Sequence, residues 1–340
     1  MPLLSIVVPI YNGEQYVEPL LETFNRQTEK DFEVILVDDG STDGTLDKLY
    51  AEAASMSYPI RIESIKPSGV SAARNRGIEL ARGKYISFVD ADDRIVSNYV
   101  AVLKKVAAKA DFDLYIFPSY RTDPSDSFNK KGKASYKKTD ALTMLHRLAV
   151  NPTQYGVYNL FVEKKFLDDH QFRFAEEFEY YEDYDILFRL FSAGERMLLS
   201  SSPLYYYILQ RGSAVATYSL NRFADITLLE ALVPYLRQIQ PQYSQEFERW
   251  FLPRIWWSLL WQSCLAFSRK DWKRFIKISD MRARIQSLKD HPDRKVRMST
   301  RLFLLSPSQF FKTVRLLGRS RSRVEHTSLE PFEEYFEAAE

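Results

Sequence analysis

Two kinds of hydrophobic pattern alternate along the first hundred or so residues. Residues 4–8, 32–37, 60–65, 84–89 and 112–117 are short, β-branched or aromatic runs, the pattern of buried strands. Between them, residues 14–26 place Tyr16, Val17, Leu20, Leu21 and Phe24 on one helical stripe, and 43–56, 70–81 and 97–109 also read as helices. Strands separated by helices predict parallel neighbours in a layered α/β sheet. In open sheets of this kind ligands collect beyond the carboxyl ends of the strands, so those ends are where chemistry is expected.

Residues 121–138 are polar, basic and poor in apolar positions, which predicts an exposed, mobile excursion before a helix over 139–150. The stretch 155–207 is unusually aromatic, with strands expected at 156–162 and 204–208 and a helix at 184–192. From about Leu220 the pattern turns helical, interrupted by Pro234, Pro241, Pro253, Pro292 and Pro307. Trp250, Trp256, Trp257, Trp261 and Trp272 cluster in this part and offer either core or a subunit interface for a homo-oligomer. These shifts divide the chain into an α/β domain over 1–215 and a smaller, mainly α-helical domain over 216–340.

The 340 residues are 45% hydrophobic and 27% charged, which excludes wholesale disorder, collagen-like repeats and a polytopic membrane protein. Lysine and arginine number 47 against 45 acids, a balance that argues against nucleic acid as partner. One cysteine, Cys264, allows neither a disulfide framework nor a thiolate metal cage and suits a reducing, cytoplasmic compartment. His146, His170, His291 and His326 lack paired metal spacing and are expected at the surface or as satisfied core residues. No export signal is expected at the amino terminus, and the best uncharged run, 255–267, is shorter than the roughly 20 residues a membrane-spanning helix needs. Residues 294–323 hold nine basic side chains and no acid, interleaved with Leu302, Phe303, Leu304, Leu305, Phe310 and Phe311, and six glutamates follow. Two readings stand: a solvated helical face with a neutralising tail, or a peripheral patch for anionic lipid.

Acidic clusters mark the candidate chemistry. Asp38 and Asp39 end a strand before Gly40, where a carboxylate can accept from a nucleobase imide or ribose hydroxyl, or simply shape a turn. Asp90, Asp92 and Asp93 set three carboxylates within four residues; their repulsion is relieved by a hard cation such as Mg²⁺ or Mn²⁺, which accepts carboxylates together with substrate phosphates. Residues 68–77, SGVSAARNRG, lead small side chains into a helix bearing Arg74 and Arg76, whose planar forks suit phosphate oxygens. Neither a Walker loop nor G-x-G-x-x-G after the first strand is present, which argues against P-loop hydrolysis and dinucleotide redox chemistry. Glu182, Asp183 and Asp185 precede an apolar helical face and are either a helix start or a general base against an acceptor hydroxyl.

In order, SIVVPIYNGEQYV, VILVDDGSTDGT, SGVSAARNRGIELARGKYISFVDADD and FAEEFEYYEDYDILFRL resemble glycosyltransferase family 2, inverting nucleotide-sugar enzymes with the GT-A fold. The resemblance covers most of residues 4–190. It implies a mixed sheet flanked by helices, with Pro9, Tyr11, Asn12, Asp38 and Asp39 lining a nucleoside pocket and Arg74 on the diphosphate. It also implies that Asp90 and Asp92 form the D-x-D motif, Asp92 on Mn²⁺ or Mg²⁺ and Asp90 toward the ribose or metal shell. Asp183 matches the catalytic base, with Glu182 beside it. Relatives often continue into an arginine-bearing stretch after a tyrosine-rich strand; here the arginine is displaced to Arg211, and its contact with the diphosphate stays open. The implied donor is a UDP-hexose or UDP-N-acetylhexosamine, and the implied acceptor a lipid-linked or protein-linked glycan. A sugar-nucleotide-binding protein without turnover and a nucleotidyltransferase are the rival classes.

Overall fold

Seven consecutive buried residues, Leu4–Ile10, form strand β1 at the centre of an α/β core. The structure is a computed structural model, and it describes residues 1–209 and 221–318. The elements follow as α1 (Val17–Asn25), β2 (Phe32–Asp38), α2 (Thr45–Ala53), β3 (Ile60–Ser64), α3 (Val70–Leu80), β4 (Tyr85–Phe88), β5 (Arg94–Ile95) and α4 (Tyr99–Ala107). Next come β6 (Leu114–Ile116), β7 (Ser119–Thr122), β8 (Lys137–Thr139), α5 (Ala141–Val150), β9 (Leu160–Glu163), α6 (Lys164–Asp169), α7 (Glu182–Ala193), β10 (Met197–Leu199) and β11 (Tyr205–Ile208). Two units emerge, Met1–Leu145 with Pro152–Gln210, and His146–Asn151 with Arg211–Glu340.

In the first unit an eight-stranded sheet runs β3-β2-β1-β4-β9-β6-β10-β8, beside a three-stranded sheet β5-β11-β7. The strands β3, β2, β1 and β4 are parallel, as the helical crossovers require. The expectation of parallel neighbours fails at β9, which runs antiparallel between β4 and β6, and at β8, which pairs antiparallel with β10. The sheet is therefore mixed. Gly77 lets α3 lie close on β1: a Cβ there would sit 2.2 Å from Val7 Cγ1.

Several expected elements shift. The strand predicted at 156–162 begins instead as a 3₁₀ turn, Val157–Asn159, in which the Asn159 carboxamide accepts from the Gly156 N–H at 3.0 Å. Strand β10 and helix α6 escape the sequence pattern because each is too short for its period to register. The excursion over 121–138 is largely exposed but anchored. Lys130 N–H donates to the Tyr206 hydroxyl at 2.8 Å, Gly132 N–H to Asn98 at 2.8 Å, and Phe128 and Tyr136 pack on the core.

The described part of the second unit is helical, from α8 (Asn221–Ala224), α9 (Ile226–Glu230), α10 (Leu232–Ile239) and α11 (Pro241–Glu246) to α12 (Leu252–Ala266), α13 (Arg269–Ile278), α14 (Met281–Ile285), α15 (Arg294–Leu305) and α16 (Pro307–Gly318). Trp272 is its central residue, buried against Phe311 at 4.8 Å and Phe303 at 6.3 Å. Trp256 is buried too, so these two tryptophans serve the unit's own core. The Asp293 carboxylate caps α15, and Val296, Thr300 and Phe303 form its inner face. His291 is a core histidine that burial holds neutral, its pKa lowered to about 4. No helix among the described residues is long and apolar enough to cross a membrane.

Candidate active site

The carboxyl ends of β1, β2 and β4 deliver three loops to one edge of the sheet. After β1, Pro9 is buried, Tyr11 is 58% exposed, and Asn12 takes a left-handed φ of 46°. Asn12 stitches this loop to the one after β2: its carboxamide oxygen accepts from Thr42 N–H at 2.8 Å, and its N–H donates to Ser41 Oγ at 2.9 Å. Asp38 and Asp39 are buried and hydrogen-bonded to neighbouring loops. Asp38 accepts from Ser41 N–H and from the Ser64 hydroxyl at 2.9 Å, and Asp39 from the N–H groups of Ser68 at 2.7 Å and Gly69 at 2.9 Å. Both carboxylates hold loops together, and Asp39 anchors the chain entering α3. Tyr11 and Asn12 are the exposed members of this group.

Arg74, one turn into α3, is the hub of the second cluster. Only 5% of its side chain is exposed. Its Nη1 donates to Asp183 Oδ1 at 2.8 Å and to Glu182 Oε1 at 3.4 Å, and its Nη2 to Asp90 Oδ1 at 3.2 Å. The guanidinium also lies 5.2 Å from the centre of the Phe174 ring. Burial disfavours its charge, but Asp183, Asp90 and Glu182 together raise its pKa above the ordinary arginine value. Arg76, two residues on, is directed elsewhere, onto Glu63 at 3.0 Å and Glu79 at 2.8 Å.

The acid pair starts α7 after Tyr181, whose φ of 70° turns the chain sharply, so Glu182 and Asp183 occupy the positive end of the helix. Burial, then the charge of Asp183, pushes Glu182 up to about 7 against the pull of Arg74. Asp183 is raised as well, chiefly by burial, with Arg74 and the Val157 N–H opposing. Asp185 is separate: it is buried and paired with Arg189 at 2.9 Å along the helix.

Asp92 lies beside Asp90, and burial followed by the Asp90 charge raises its pKa. Two part-buried carboxylates two residues apart suit a hard divalent cation. Among the described residues no cluster of three or more His, Cys, Asp or Glu side chains is arranged to hold an ion. A cation held by Asp90 and Asp92 would draw further ligands from substrate phosphate oxygens and water, as Mg²⁺ and Mn²⁺ do. Arg211 lies outside the described residues.

Arg74, Asp90, Glu182 and Asp183 are thus in direct contact, Asp92 adjoins them, and Pro9, Tyr11, Asn12, Asp38 and Asp39 form a neighbouring loop set. Other members carry no motif of their own. Asn75 fastens the segment before α7 by donating to the Phe174 carbonyl at 2.9 Å and accepting from its N–H at 2.8 Å. Tyr158 stacks between Tyr205 at 4.7 Å and Tyr207 at 5.6 Å. Burial and then the charge of Asp90 raise the Tyr158 pKa. The dense aromatics of 155–207 were the available signal.

The first unit is thus a mixed sheet with flanking helices, with three loops at its carboxyl edge and an arginine bridging two acid groups. Residues 5–169 match the profile described as Glycosyl transferase family 2, so the α/β part of the chain is a glycosyltransferase domain of that family. EpsH of Bacillus subtilis (strain 168), named as a glycosyltransferase, is 27% identical over 241 residues, 70% of each chain. The poly(ribitol-phosphate) beta-glucosyltransferase of Bacillus spizizenii is 28% identical over 213 residues, which are 61% of this chain and 32% of that one. The crystal structure of S. aureus TarS 1-349 in complex with UDP-GlcNAc superposes with a TM-score of 0.63 at 19% identity, over 94% of this chain and 92% of that one, and shares the GT-A fold.

Proposed function

We propose that the chain transfers a hexose or N-acetylhexosamine, with inversion, from a UDP-sugar to a hydroxyl of a cell-surface glycan or wall polymer. The observation that carries this reading is Arg74 bridging Asp183, Glu182 and Asp90, which draws the acid pair and the D-x-D turn into one cluster. Inversion is a single displacement: the acceptor oxygen bonds to the anomeric carbon as the bond to the diphosphate oxygen breaks and the hydroxyl proton passes to a base. Asp183 is that base. Its raised pKa brings it nearer neutrality, where a base best combines availability with proton affinity. Arg74 meets the charge growing on the departing diphosphate, and preorganised partners of this kind are commonly worth about 3 kcal/mol. Asp90 and Asp92 would hold Mn²⁺ or Mg²⁺, which when bound neutralises diphosphate charge.

The UDP carrier is supported by the TarS complex with UDP-GlcNAc and by Tyr11, an outward-facing ring for a base to stack on. A wall or capsule polymer as acceptor is supported by the name of the poly(ribitol-phosphate) relative. In this reading the α/β domain binds donor and acceptor in the cytoplasm, and the helical domain brings the enzyme to lipid-linked glycan at the inner membrane face. The test is a panel of nucleotide-sugars incubated with enzyme and Mn²⁺, scored for hydrolysis without acceptor. Release of UDP from one UDP-sugar is expected. Release of pyrophosphate would overturn the reading in favour of nucleotidyl transfer, and binding without turnover in favour of a non-catalytic protein.

A further inference from the structure

We propose that Asp93 is a positioning residue that acts through the Tyr205 hydroxyl to fix the main chain of Asp90, and so aims the Asp90 and Asp92 carboxylates at the donor. The structure divides the three acids of the turn. Asp93 is 2% exposed and faces inward: its Oδ2 accepts from the Tyr205 hydroxyl at 2.8 Å and its Oδ1 from the Ile208 N–H at 2.7 Å. The Tyr205 hydroxyl in turn accepts from the Asp90 N–H at 3.1 Å. One phenol therefore donates to Asp93 and accepts from Asp90, using its proton and a lone pair. The Asp93 N–H closes the turn on the Asp90 carbonyl at 3.0 Å. Both main-chain polar groups of Asp90 are thus tied to Asp93, one directly and one through the ring.

The lever is stiff. Tyr205 lies in β11, paired to Ile95 of β5, the strand that follows the turn at once, and its ring is stacked against Tyr158 at 4.7 Å. Burying a third carboxylate beside Asp90 and Asp92 is costly. What a carboxylate supplies there is a pair of acceptors that orient two donors, the arrangement by which outer partners set the direction of metal-binding groups.

This inference rests on the donor-site reading, and calorimetry of UDP with Mn²⁺ on the full chain separates the two. Wild type is compared with Tyr205→Phe and with Ser87→Ala, a control on β4, ahead of the turn, that breaks a buried hydroxyl pair with Tyr99 outside the Asp93–Tyr205–Asp90 bonds. Tyr205→Phe should weaken Mn²⁺-dependent UDP binding about 10- to 100-fold, the usual loss when such an outer partner is removed, and leave Mn²⁺-free UDP binding unchanged. Ser87→Ala should lower the melting midpoint while leaving binding within about twofold of wild type. Asp93→Asn, which keeps one acceptor for two donors, should fall between and serves if Tyr205→Phe does not fold. Wild type that fails to bind UDP with Mn²⁺ overturns the donor site and the positioning role together. Wild type that binds, with Tyr205→Phe unaffected or no worse than the control, overturns the positioning role alone.

Discussion

Asp183→Asn isolates the proposed base with little disturbance of the site around it. The amide keeps an oxygen that can accept from Arg74 Nη1, now at 2.8 Å from the carboxylate, and Arg74 retains Glu182 and Asp90. No buried charge is orphaned, so the change in folding stability should stay within about 1 kcal/mol. Removing the Asp183 charge also removes the second-largest cause raising Glu182, whose pKa should fall toward the ordinary range. Catalysis behaves differently. A positioned base contributes about 10²- to 10⁴-fold, equivalent to about 3–5 kcal/mol of barrier, and an amide cannot take the proton. Initial rates of UDP release from the active donor should drop by that factor, while calorimetry shows UDP and Mn²⁺ binding within about threefold of wild type. Glu182→Gln is the companion measurement, with a smaller loss expected. A larger loss in Glu182→Gln than in Asp183→Asn would reverse the assignment, and an Asp183→Asn enzyme that loses donor binding along with turnover would refute the role.

Four further outcomes follow from the same geometry. Arg74→Ala leaves three carboxylates without their shared cation and should cost about 3–5 kcal/mol in denaturant unfolding; a loss below about 1 kcal/mol would show the cluster to be solvated. Glu182, with a folded pKa of about 7 against an unfolded 4.5, binds its proton more tightly when folded. The stability this supplies is complete below pH 4.5 and disappears as pH rises through 7. Ligand-free stability should therefore decline across that window by on the order of 3 kcal/mol, and Glu182→Gln should flatten the decline. Asp92→Ala should abolish the Mn²⁺ dependence of UDP binding seen by calorimetry; an unchanged dependence removes Asp92 from the site. On α15 and α16, Met298, Leu305, Leu316 and Leu317 are exposed near Arg294, Lys295 and Lys312, whereas Phe303 and Phe310 are core. Flotation with anionic vesicles should carry the full chain and lose it for Leu305→Ser with Leu317→Ser, a pair outside the core; equal flotation of both rules out lipid contact through these leucines.

The strands and helices of the first unit were legible because their periods are strong and their ends are marked by Asp, Asn and Gly. The acids at the ends of β2 and β4 were legible as a pattern, a hydrophobic strand running straight into Asp38 and Asp39 or into Asp90, although for Asp38 and Asp39 a turn-shaping role was the standing alternative. What the pattern concealed is direction. Asp92 and Asp93 are indistinguishable as neighbours in sequence, yet Asp93 turns inward to Tyr205, 112 residues away. Arg74 and Arg76 look equivalent in the small-residue approach, but 3.6 residues per turn send one inward to the acids and the other to Glu63 and Glu79. Asp39 reads in the sequence as a ligand-facing carboxylate, and only the structure shows that it also closes the loop ahead of α3.

The sequence by itself determined the layered α/β order, the helical second part, and which side chains have the chemistry to meet a metal and a diphosphate, since these depend on local period and residue type. Only the tertiary structure decided which of those side chains meet. Arg74 and Asp183 are 109 positions apart, and they are brought together because Gly77 lets α3 settle onto β1 while Asn75 fastens the segment leading to α7. Contacts of that range depend on how separate elements pack, and no local period along the chain encodes the packing.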